Sequence, residues 1–304
     1  MKRALITGIS GFVGRHLWKQ LLCEEWEVYG FDRHAEGKNV FVGDLSDATA
    51  LRWALSESKP DAVFHLAGVI KSDVAEAYYQ SNLFGTLSLL RAIMQMEMLP
   101  RLILTSSSAV YGLTAGAMPI TERSPLRPLT EYAVSKVAQE IAALRYHYAF
   151  GLPVIIVRMF NLVGPGQSPE LACSAFARQI ALAEKTEQTE IVTGNLDARR
   201  DFIDVRDAAR GLALLAEKGK AGQIYNICSG RAVTMQQCLR LLMSMSRKPL
   251  SVRKDVTRFQ QNDVTIQVGS FQKIRQATGW RPRISLKQSL SDLLDDWRER
   301  VGAE

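Results

Sequence analysis

The chain has 304 residues, of which 47% are hydrophobic and 23% are charged. This length allows one large domain or two unequal ones with a substantial core, and the composition is ordinary for a soluble globular protein. The formal charge of +7 favours a small anionic ligand, because lysine and arginine are scattered rather than gathered into the blocks typical of nucleic-acid binding. The composition therefore argues against a nucleic-acid partner.

Cysteine usage and hydropathy indicate in which cellular compartment the protein is expected. The four cysteines show neither a CxxC pair nor metal-ligand spacing: Cys23, Cys173, Cys228 and Cys238. They are typical of buried thiols in a reducing environment, so we expect a cytoplasmic protein with no metal site. MKRALITG resembles the start of a signal peptide, but the glycine-broken TGISG interrupts it. Since no apolar run is long enough to cross a bilayer, we expect no membrane partner.

The first half of the chain alternates short apolar strands with helical patterns. Strands are predicted at 3–7, 27–32, 40–44, 62–68, 101–107 and 153–160, and the clearest helices at 11–25, 82–96 and 131–149. Continuous apolar strands that alternate with helices are typical of a parallel sheet covered on both faces. The predicted fold class is α/β, with a Rossmann-type doubly wound parallel sheet.

The pattern changes after about residue 165, beyond the loop GPGQSPE. Helices are predicted at 171–185, 204–217, 234–246 and 286–300, separated by short strands such as EIVTG and QIYNIC. We therefore expect a sheet domain over 1–165, with strands returning from the later chain, and a smaller mixed α/β substrate lobe over 166–304. The cleft between them, at the carboxyl ends of the strands, is the expected ligand site.

The first strand runs into TGISGFVG, which places Gly8, Gly11 and Gly14 at the turn into the first helix. Glycine at such a turn allows a positive φ and lets the backbone approach a pyrophosphate. The first N–H groups of the helix, including those of Phe12 and Val13, would then face the anion. The spacing is GxxGxxG rather than GxGxxG, and a tightly packed turn is the alternative interpretation.

Asp32 ends the second strand, where a carboxylate typically accepts hydrogen bonds from the adenine-ribose hydroxyls. This position favours dinucleotide binding by residues 1–165. Asp32 should repel a 2′-phosphate whereas Arg33 should attract one, so NADH is slightly favoured and NADPH stays open. Asp44 and Leu45, after the third strand, are placed to meet the adenine, although a plain helix N-cap is the alternative for this position.

The motif HLAG ends the fourth strand. Because the carboxyl ends of parallel strands meet at one edge of the sheet, Leu66, Ala67 and Gly68 should lie near the dinucleotide. His65 is predicted to be a buried core residue rather than a catalytic one.

Tyr132 and Lys136, in YAVSK, lie one helical turn apart and so share a face, and Ser107 ends a neighbouring strand. The three fit carbonyl reduction, in which the carbon receives a hydride and the oxygen a proton. An unperturbed tyrosine titrates near ~10, and a nearby lysine cation should lower the pKa of the phenol. A serine hydroxyl bonded to the same oxygen would stabilise the developing charge.

TGISGFVG, HLAG, SSSAVYG and YAVSK together resemble the extended short-chain dehydrogenase/reductase family, in its nucleotide-sugar-modifying branch. The resemblance runs nearly end to end. It implies catalytic roles for Ser107, Tyr132 and Lys136, with Tyr132 and Lys136 also contacting the cofactor and Lys136 holding the nicotinamide ribose. For Asn82, in NLFGT, it implies a structural role.

Ala109 separates the subfamilies. In the sugar 4,6-dehydratases, which otherwise resemble this chain, the position carries a glutamate that acts as a base, and in GDP-fucose synthase it carries a cysteine. Alanine can neither accept nor donate a proton, so the site is predicted to move a hydride and one proton. The alternative is that another residue replaces the missing base.

Two later segments suggest the substrate. GNLDARRDFIDVRD, and NLVGPGQ followed by FARQIA, resemble GDP-6-deoxy-4-keto-mannose reductases. The resemblance implies a GDP-linked keto-deoxyhexose whose C4 ketone is reduced, giving GDP-D-rhamnose or GDP-6-deoxytalose. It assigns Asn161 and Arg200 to the substrate, together with Ser107 and Ser108. Of the neighbouring arginines, which include Arg206 and Arg210, some must be solvated.

The segment TRFQQNDV at 257–264 departs from the RPxE pattern that is frequent in this family. The usual arginine position falls on Gln260, and Arg258 is predicted to reach the diphosphate instead. GWRP at 279–282 is predicted to be a structural turn.

Two other functions stay open. A sugar-nucleotide 4-epimerase with tightly bound NAD would use the same three catalytic residues, and a cofactor-sensing protein would keep the fold without the chemistry. The second is disfavoured because such proteins usually lack the tyrosine–lysine pair. The family resemblance also implies a homodimer, through the helices at 82–96 and 131–149.

Overall fold

The computed structural model describes residues 1–34, 37–97, 99–113, 119–255, 257 and 266–303. The strands are β1 (Arg3–Thr7), β2 (Glu27–Asp32), β3 (Val40–Val42), β4 (Ala62–His65), β5 (Arg101–Ser107), β6 (Val154–Met159), β7 (Asn161–Val163), β8 (Glu190–Thr193), β9 (Arg199–Asp204), β10 (Ile224–Ile227), β11 (Ala232–Thr234), β12 (Ser251–Lys254) and β13 (Ile266–Gln267). The α-helices are α1 (Phe12–Cys23), α2 (Ala48–Ser58), α3 (Ala75–Tyr78), α4 (Gly85–Ile93), α5 (Glu131–Phe150), α6 (Ala172–Lys185), α7 (Val205–Lys218), α8 (Met235–Met243), α9 (Gln272–Thr278) and α10 (Leu286–Ala303).

A seven-stranded sheet forms the centre of the molecule, in the order β10-β6-β5-β4-β1-β2-β3. Every neighbouring pair of its strands is parallel, which confirms the predicted α/β doubly wound sheet. Its edge strand β10 returns from the later chain. Both faces of the sheet are covered by helices, because successive side chains along each strand are buried on opposite faces. Ile6 packs in the cluster with Leu17 of α1, and Leu5 packs in the cluster with Leu89 of α4.

A second, four-stranded sheet carries the later chain. Its central strand β9 pairs with β7, β11 and β13, and helices α6, α8 and α10 bury a separate apolar cluster beside it. Sequence analysis did not predict β9 as a strand. The segment RRDFID lacks the apolar run of the other strands, and its pairing partners lie far away in the chain.

Three aspartates of GNLDARRDFIDVRD hold this part of the chain together. Asp201 accepts hydrogen bonds from the backbone N–H groups of Ser229, Gly230 and Gly269 and from the Ser229 hydroxyl. Asp204 caps α7 and accepts from the hydroxyl of Ser289, at 2.6 Å. Asp207 accepts from the backbone N–H groups of Arg283 and Ile284. All three are buried, so this motif is structural in large part.

Several predicted elements differ from the structure in their bounds, and two of these lie near the site. The strand predicted to reach residue 68 ends at His65, and the following residues form a loop at the end of the sheet. The helix predicted over 82–96 begins as a π-helical segment, Tyr79–Phe84, which continues into α4 and ends at Ile93. Among the described residues, we find no helix that combines the length and the hydropathy of a membrane span.

Candidate active site

A cleft of about 1280 Å³ opens at the carboxyl ends of the central strands and is lined by segments of both sheets. It brings together every predicted site residue that the structure describes: Gly8, Gly11, Phe12, Val13, Gly14, Asp32, Arg33, Asp44, Leu45, Leu66, Ala67, Gly68, Ser107, Ser108, Tyr132, Lys136, Asn161 and Arg200. Arg258 and Gln260 lie outside the described residues. The roles of these residues in binding and catalysis stay predictions.

The glycine loop has no room for side chains. Gly8 has a φ of 75°, and a Cβ there would lie 2.8 Å from the backbone nitrogen of Ala67. A Cβ on Gly14 would overlap the carbonyl oxygen of Gly8 and lie 2.6 Å from that of Ile9. The loop therefore presses against Ala67, in the loop that follows β4, and leaves the first turn of α1 facing the cleft. This arrangement fits the pyrophosphate of a dinucleotide.

Asp32 is held as a carboxylate at the end of β2. Its Oδ2 accepts hydrogen bonds from the backbone N–H of Ser10, at 3.0 Å, and from its hydroxyl, at 2.6 Å. Burial alone would raise the pKa of Asp32, but these bonds outweigh it and the pKa falls below its usual value. Asp44 likewise accepts from the N–H and hydroxyl of Ser46, which lower its pKa. Both carboxylates face the expected adenosine end of the cleft.

Four consecutive hydroxyl residues lie at the end of β5 and directly after it, and three of them bind neighbouring parts of the protein. Thr105 donates to the carbonyl oxygen of His65, at 2.9 Å, and Ser106 to Glu140 Oε1, at 2.5 Å. Ser108 donates to Gln267 Oε1, whose own amide group donates to the Ser108 carbonyl oxygen. The proton of the Ser108 hydroxyl is thus already engaged, so the predicted substrate contact of Ser108 would have to use its lone pairs.

Ser107 faces the other way, toward the helix α5. Its hydroxyl accepts from the backbone N–H of Ala109, at 3.1 Å, and forms a side-chain hydrogen bond with Tyr132. Lys136, one turn along α5, donates to the carbonyl oxygen of Thr105, at 2.7 Å. The serine, the phenol and the ammonium group therefore meet at one point of the cleft.

The pKa of Tyr132 differs from the sequence-based expectation. Burial raises it above its usual value, the hydrogen bond with Ser107 offsets only part of that effect, and nearby Tyr78 raises it further. The prediction that Lys136 would lower the pKa of this phenol is therefore wrong, because desolvation of the phenol dominates. Burial lowers the pKa of Lys136 to about 8, so at neutral pH the phenol is protonated and the lysine largely charged.

The π-helical segment aims Asn82 at the active-site loop. Its amide accepts from the N–H of Val69, at 2.9 Å, donates to the Val69 carbonyl oxygen, at 3.0 Å, and donates to Ser135, at 2.9 Å. Ser135 in turn donates to the carbonyl oxygen of Tyr132. Asn82 thus joins the loop after β4 to the helix that carries the phenol, which agrees with the structural role that the family resemblance implies. π-Helical turns are frequent at functional sites.

His65 is a core residue, as predicted. It is 1% exposed, and its two ring nitrogens bond to the hydroxyls of Thr7 and Thr86. Burial lowers its pKa to about 3, so it stays neutral. It lies close enough to Lys136 for the charge of that lysine to lower the pKa of His65 further.

Of the arginines in the GNLDARRDFIDVRD segment, Arg200 lines the cleft, and Asn161 on β7 also lines it. Two further arginines form ion pairs. Arg206 pairs with Asp204 and Asp292, and Arg210 pairs with Asp207. Sequence analysis could not separate these arginines, because the aspartates that pair with two of them belong to the same motif.

Sequence analysis missed three groups that shape the site: Ser10, Gln267 and Glu140. Ser10 lies inside the glycine loop, so its contact with Asp32 could have been considered. Gln267 contacts Ser108 across 159 residues of chain, and no local pattern signals such a contact. The described residues contain no cluster of histidine, cysteine or acidic side chains able to hold a metal ion.

The fold and the site together define an extended short-chain dehydrogenase/reductase. The family model for GDP-mannose 4,6-dehydratase matches residues 5–293, and the chain belongs to that family. GDP-6-deoxy-D-mannose reductase of Pseudomonas aeruginosa is 35% identical over 314 residues, covering 100% of this chain and 99% of the relative. These matches confirm the resemblance drawn from the sequence motifs.

Solved structures agree with this assignment. The structure of RMD from Pseudomonas aeruginosa, complexed with NADPH, has a TM-score of 0.89 and 33% identity and covers 98% of this chain and 100% of that one. UDP-glucose 4-epimerase of Thermus thermophilus, complexed with NAD, has a TM-score of 0.86 and 27% identity and covers 97% and 99%.

Proposed function

We propose that this protein is an oxidoreductase that uses NADH or NADPH to reduce the C4 ketone of GDP-4-keto-6-deoxy-D-mannose. The product would be GDP-D-rhamnose or its C4 epimer GDP-6-deoxytalose. The observation that carries the proposal is that Ser107, Tyr132 and Lys136 meet in a cleft where Ala109 stands close by in the chain. The similarity to a GDP-6-deoxy-D-mannose reductase supports the choice of substrate.

The protein groups suit the reductive direction. The cofactor supplies the hydride when bound. Tyr132 donates its Oη proton to the ketone oxygen, and its raised pKa ensures that the phenol arrives protonated. The Ser107 hydroxyl holds the same oxygen, and the charge of Lys136 stabilises the phenolate left behind.

Ala109 argues against water elimination, the activity for which the family model is named. Elimination needs a base that removes a proton from carbon, and a methyl group cannot serve. Ala109 lines the cleft next to Ser107 and Ser108. The proposed chemistry is therefore limited to one carbonyl group, whose carbon receives a hydride and whose oxygen receives a proton.

Asp32 and Arg33 leave the choice of cofactor finely balanced. The Asp32 carboxylate already accepts two bonds from Ser10, and the positive charge of Arg33 lies close enough to lower the pKa of Asp44. A 2′-phosphate would meet a carboxylate on one side and a guanidinium on the other. We propose use of both cofactors, with NADH slightly preferred.

The function is tested by incubating the protein with GDP-4-keto-6-deoxy-D-mannose and either NADH or NADPH. We expect stoichiometric loss of the reduced-cofactor absorbance and a GDP-6-deoxyhexose product, whose C4 configuration NMR would assign. If neither cofactor is oxidised, the proposed function is wrong.

The similarity to a UDP-glucose 4-epimerase supports one alternative function, that of a sugar-nucleotide 4-epimerase. A 4-epimerase returns the hydride to the opposite face, so it retains tightly bound NAD and needs no added reductant. Purified protein that carries NAD and converts a sugar nucleotide without NADH or NADPH would identify an epimerase instead.

We further propose a homodimer that packs through α4 and α5. Val134, Ile141 and Tyr148 follow one another at seven-residue spacing on α5, are 39%, 63% and 75% exposed, and so form one apolar stripe. Phe84, the last residue of the π-helical segment before α4, is 51% exposed. Such a patch on a protein of this size is typical of a protein–protein interface.

An Ile141→Glu variant should be monomeric or should dissociate at far higher concentration, because it buries a charge in the proposed interface. The measurement is sedimentation equilibrium at several concentrations. Leu22→Glu, on the exposed face of α1, is the matched control and should keep the wild-type mass. Identical masses for both variants and the wild type would contradict this interface.

Four finer assignments belong to the same proposal. Residues 1–165 form the dinucleotide-binding domain, and residues 166–304 form mainly the nucleotide-sugar lobe. Arg258 binds the diphosphate, and the enzyme acts in the cytoplasmic synthesis of deoxysugar precursors such as those of lipopolysaccharide. Loss of GDP-sugar affinity in Arg258→Ala, with cofactor affinity kept, would support the third.

A further inference from the structure

A buried ion pair lies directly behind the catalytic serine. Glu140 and Arg158 are each 2% exposed, and they form a two-point contact, with Arg158 Nε 2.9 Å from Oε1 and Nη2 2.6 Å from Oε2. Arg158 also donates to the hydroxyl of Tyr111 and packs over its ring, and Tyr111 donates to Asn226. Both charged groups are therefore well supplied with partners, as a buried ion pair requires.

The ion pair reaches the active site through one hydroxyl. Ser106 donates to Glu140 Oε1 at 2.5 Å, and Arg158 is the register partner of Ser106 in the neighbouring strand. The residue before Ser106 supplies the carbonyl oxygen that holds Lys136, and the residue after it is Ser107. Glu140 itself lies one helical turn beyond Lys136 on α5.

We infer that Ser106, Glu140 and Arg158 form a positioning cluster that sets the placement of Ser107 and Lys136 relative to Tyr132. The inference rests on the proposed function and adds residues to it. Strand β5 carries the serine and helix α5 carries the phenol and the ammonium group. The Ser106–Glu140 bond joins these two elements at the level of the reacting groups. Its loss therefore lets the end of the strand move relative to the helix.

The cluster also acts on the charge of Lys136. Glu140 from α5 and His65 from β4 lie close enough to Lys136 to interact with its charge, while Arg158 of β6 neutralises much of Glu140. His65 is neutral, and burial of Lys136 lowers its pKa, whereas the Glu140 carboxylate raises it. Glu140 thereby helps keep the ammonium form at neutral pH.

Ser106→Ala tests the positioning role while leaving the ion pair intact. We expect kcat to fall about tenfold, since a misplacement of reacting groups by about 1 Å can cost up to about 10²-fold, with little change in the affinity for NADPH. Ser58→Ala is the matched control: Ser58 is equally buried, and its hydroxyl donates to the Ala54 carbonyl oxygen within α2. Both variants should lose similar thermal stability, and the control should keep the wild-type kcat.

Glu140→Gln tests the electrostatic part. It retains an oxygen acceptor for Ser106 but removes the carboxylate charge, so the pKa of Lys136 should fall and the alkaline limb of the kcat–pH profile should move to lower pH. Glu184→Gln, which removes the carboxylate partner of Arg298 in the second lobe, is the control and should leave the profile unchanged. If Glu140→Gln does not fold, the outcome for Ser106→Ala decides alone.

The two levels of proposal fail in different ways. If the wild type does not oxidise NADH or NADPH with the GDP-keto-sugar, the proposed function is wrong. If the wild type turns over but Ser106→Ala matches Ser58→Ala in kcat, the positioning cluster is refuted and the function stands. An unmoved pH profile in folded Glu140→Gln would likewise refute the role in setting the charge of Lys136.

Discussion

Tyr132→Phe should lower kcat by about 10²- to 10⁴-fold, the range typical of losing a general acid, while NADPH binding stays close to wild type. The variant removes only the hydroxyl that bonds to Ser107, and the ring keeps its packing against Tyr78, with centroids 6.1 Å apart. The measurement is the single-turnover rate with the GDP-keto-sugar, together with cofactor affinity by fluorescence.

Tyr146→Phe is the control for this prediction. Tyr146 lies on the same helix, is 8% exposed and packs against Phe150, away from the cleft. It should retain wild-type turnover. A Tyr132→Phe variant that turns over as fast as Tyr146→Phe would show that another group donates the proton.

Gly14→Ala should abolish measurable dinucleotide binding. A Cβ at this position would overlap the Gly8 carbonyl oxygen and lie 2.6 Å from that of Ile9, and both atoms belong to the backbone of the loop. The clash cannot be relieved by turning a side chain, so the loop must move away from α1 and its N–H groups. Overpacking of this kind typically costs about 1–3 kcal/mol of folding stability as well.

The readouts are NADPH affinity by calorimetry and the free energy of unfolding in urea. Gly302→Ala is the control, since Gly302 also lies in a helix but a Cβ there meets only the end of Lys185, at 3.7 Å. Alanine should be neutral or slightly stabilising at that position, because it is the better helix former. Wild-type NADPH affinity in a folded Gly14→Ala protein would mean that the glycine loop does not bind the pyrophosphate.

The serine-rich strand end shows why one motif can carry both structure and chemistry. Thr105, Ser106 and Ser108 each bind a different neighbouring element, whereas Ser107 bonds to Tyr132. A hydroxyl is small enough for a crowded strand end and can still make a hydrogen bond there. The serines on either side of Ser107 therefore anchor the chain around the position that is predicted to be catalytic.

Local patterns predicted much of the fold and the site. Strand β1 and strand β5 have the predicted bounds, because their apolar runs are short, continuous and bounded by polar residues. The glycine loop and the Tyr132–Lys136 pair were recognisable because each depends on spacings within one turn or one helix. Their shared cleft then followed from the rule that parallel strands end at the same edge of the sheet.

The same reasoning failed where contacts are distant in the chain. Strand β9 exists because β7, β11 and β13 pair with it, and the Gln267–Ser108 contact joins two sheets. The pKa of Tyr132 moved opposite to expectation, because the degree of burial of the phenol outweighs its partners. Burial is a property of the assembled protein, so the motif YAVSK could not reveal it.

By itself the sequence determined the parallel sheet and the position of the glycine loop, and it predicted the reacting groups, since hydropathy period and short-range spacing act between near neighbours. Only the tertiary structure decided which hydroxyl faces the phenol, which arginines are engaged in ion pairs, and that Glu140 and Arg158 stand behind Ser107. These outcomes depend on desolvation and on hydrogen-bond geometry between elements that the chain brings together from far apart.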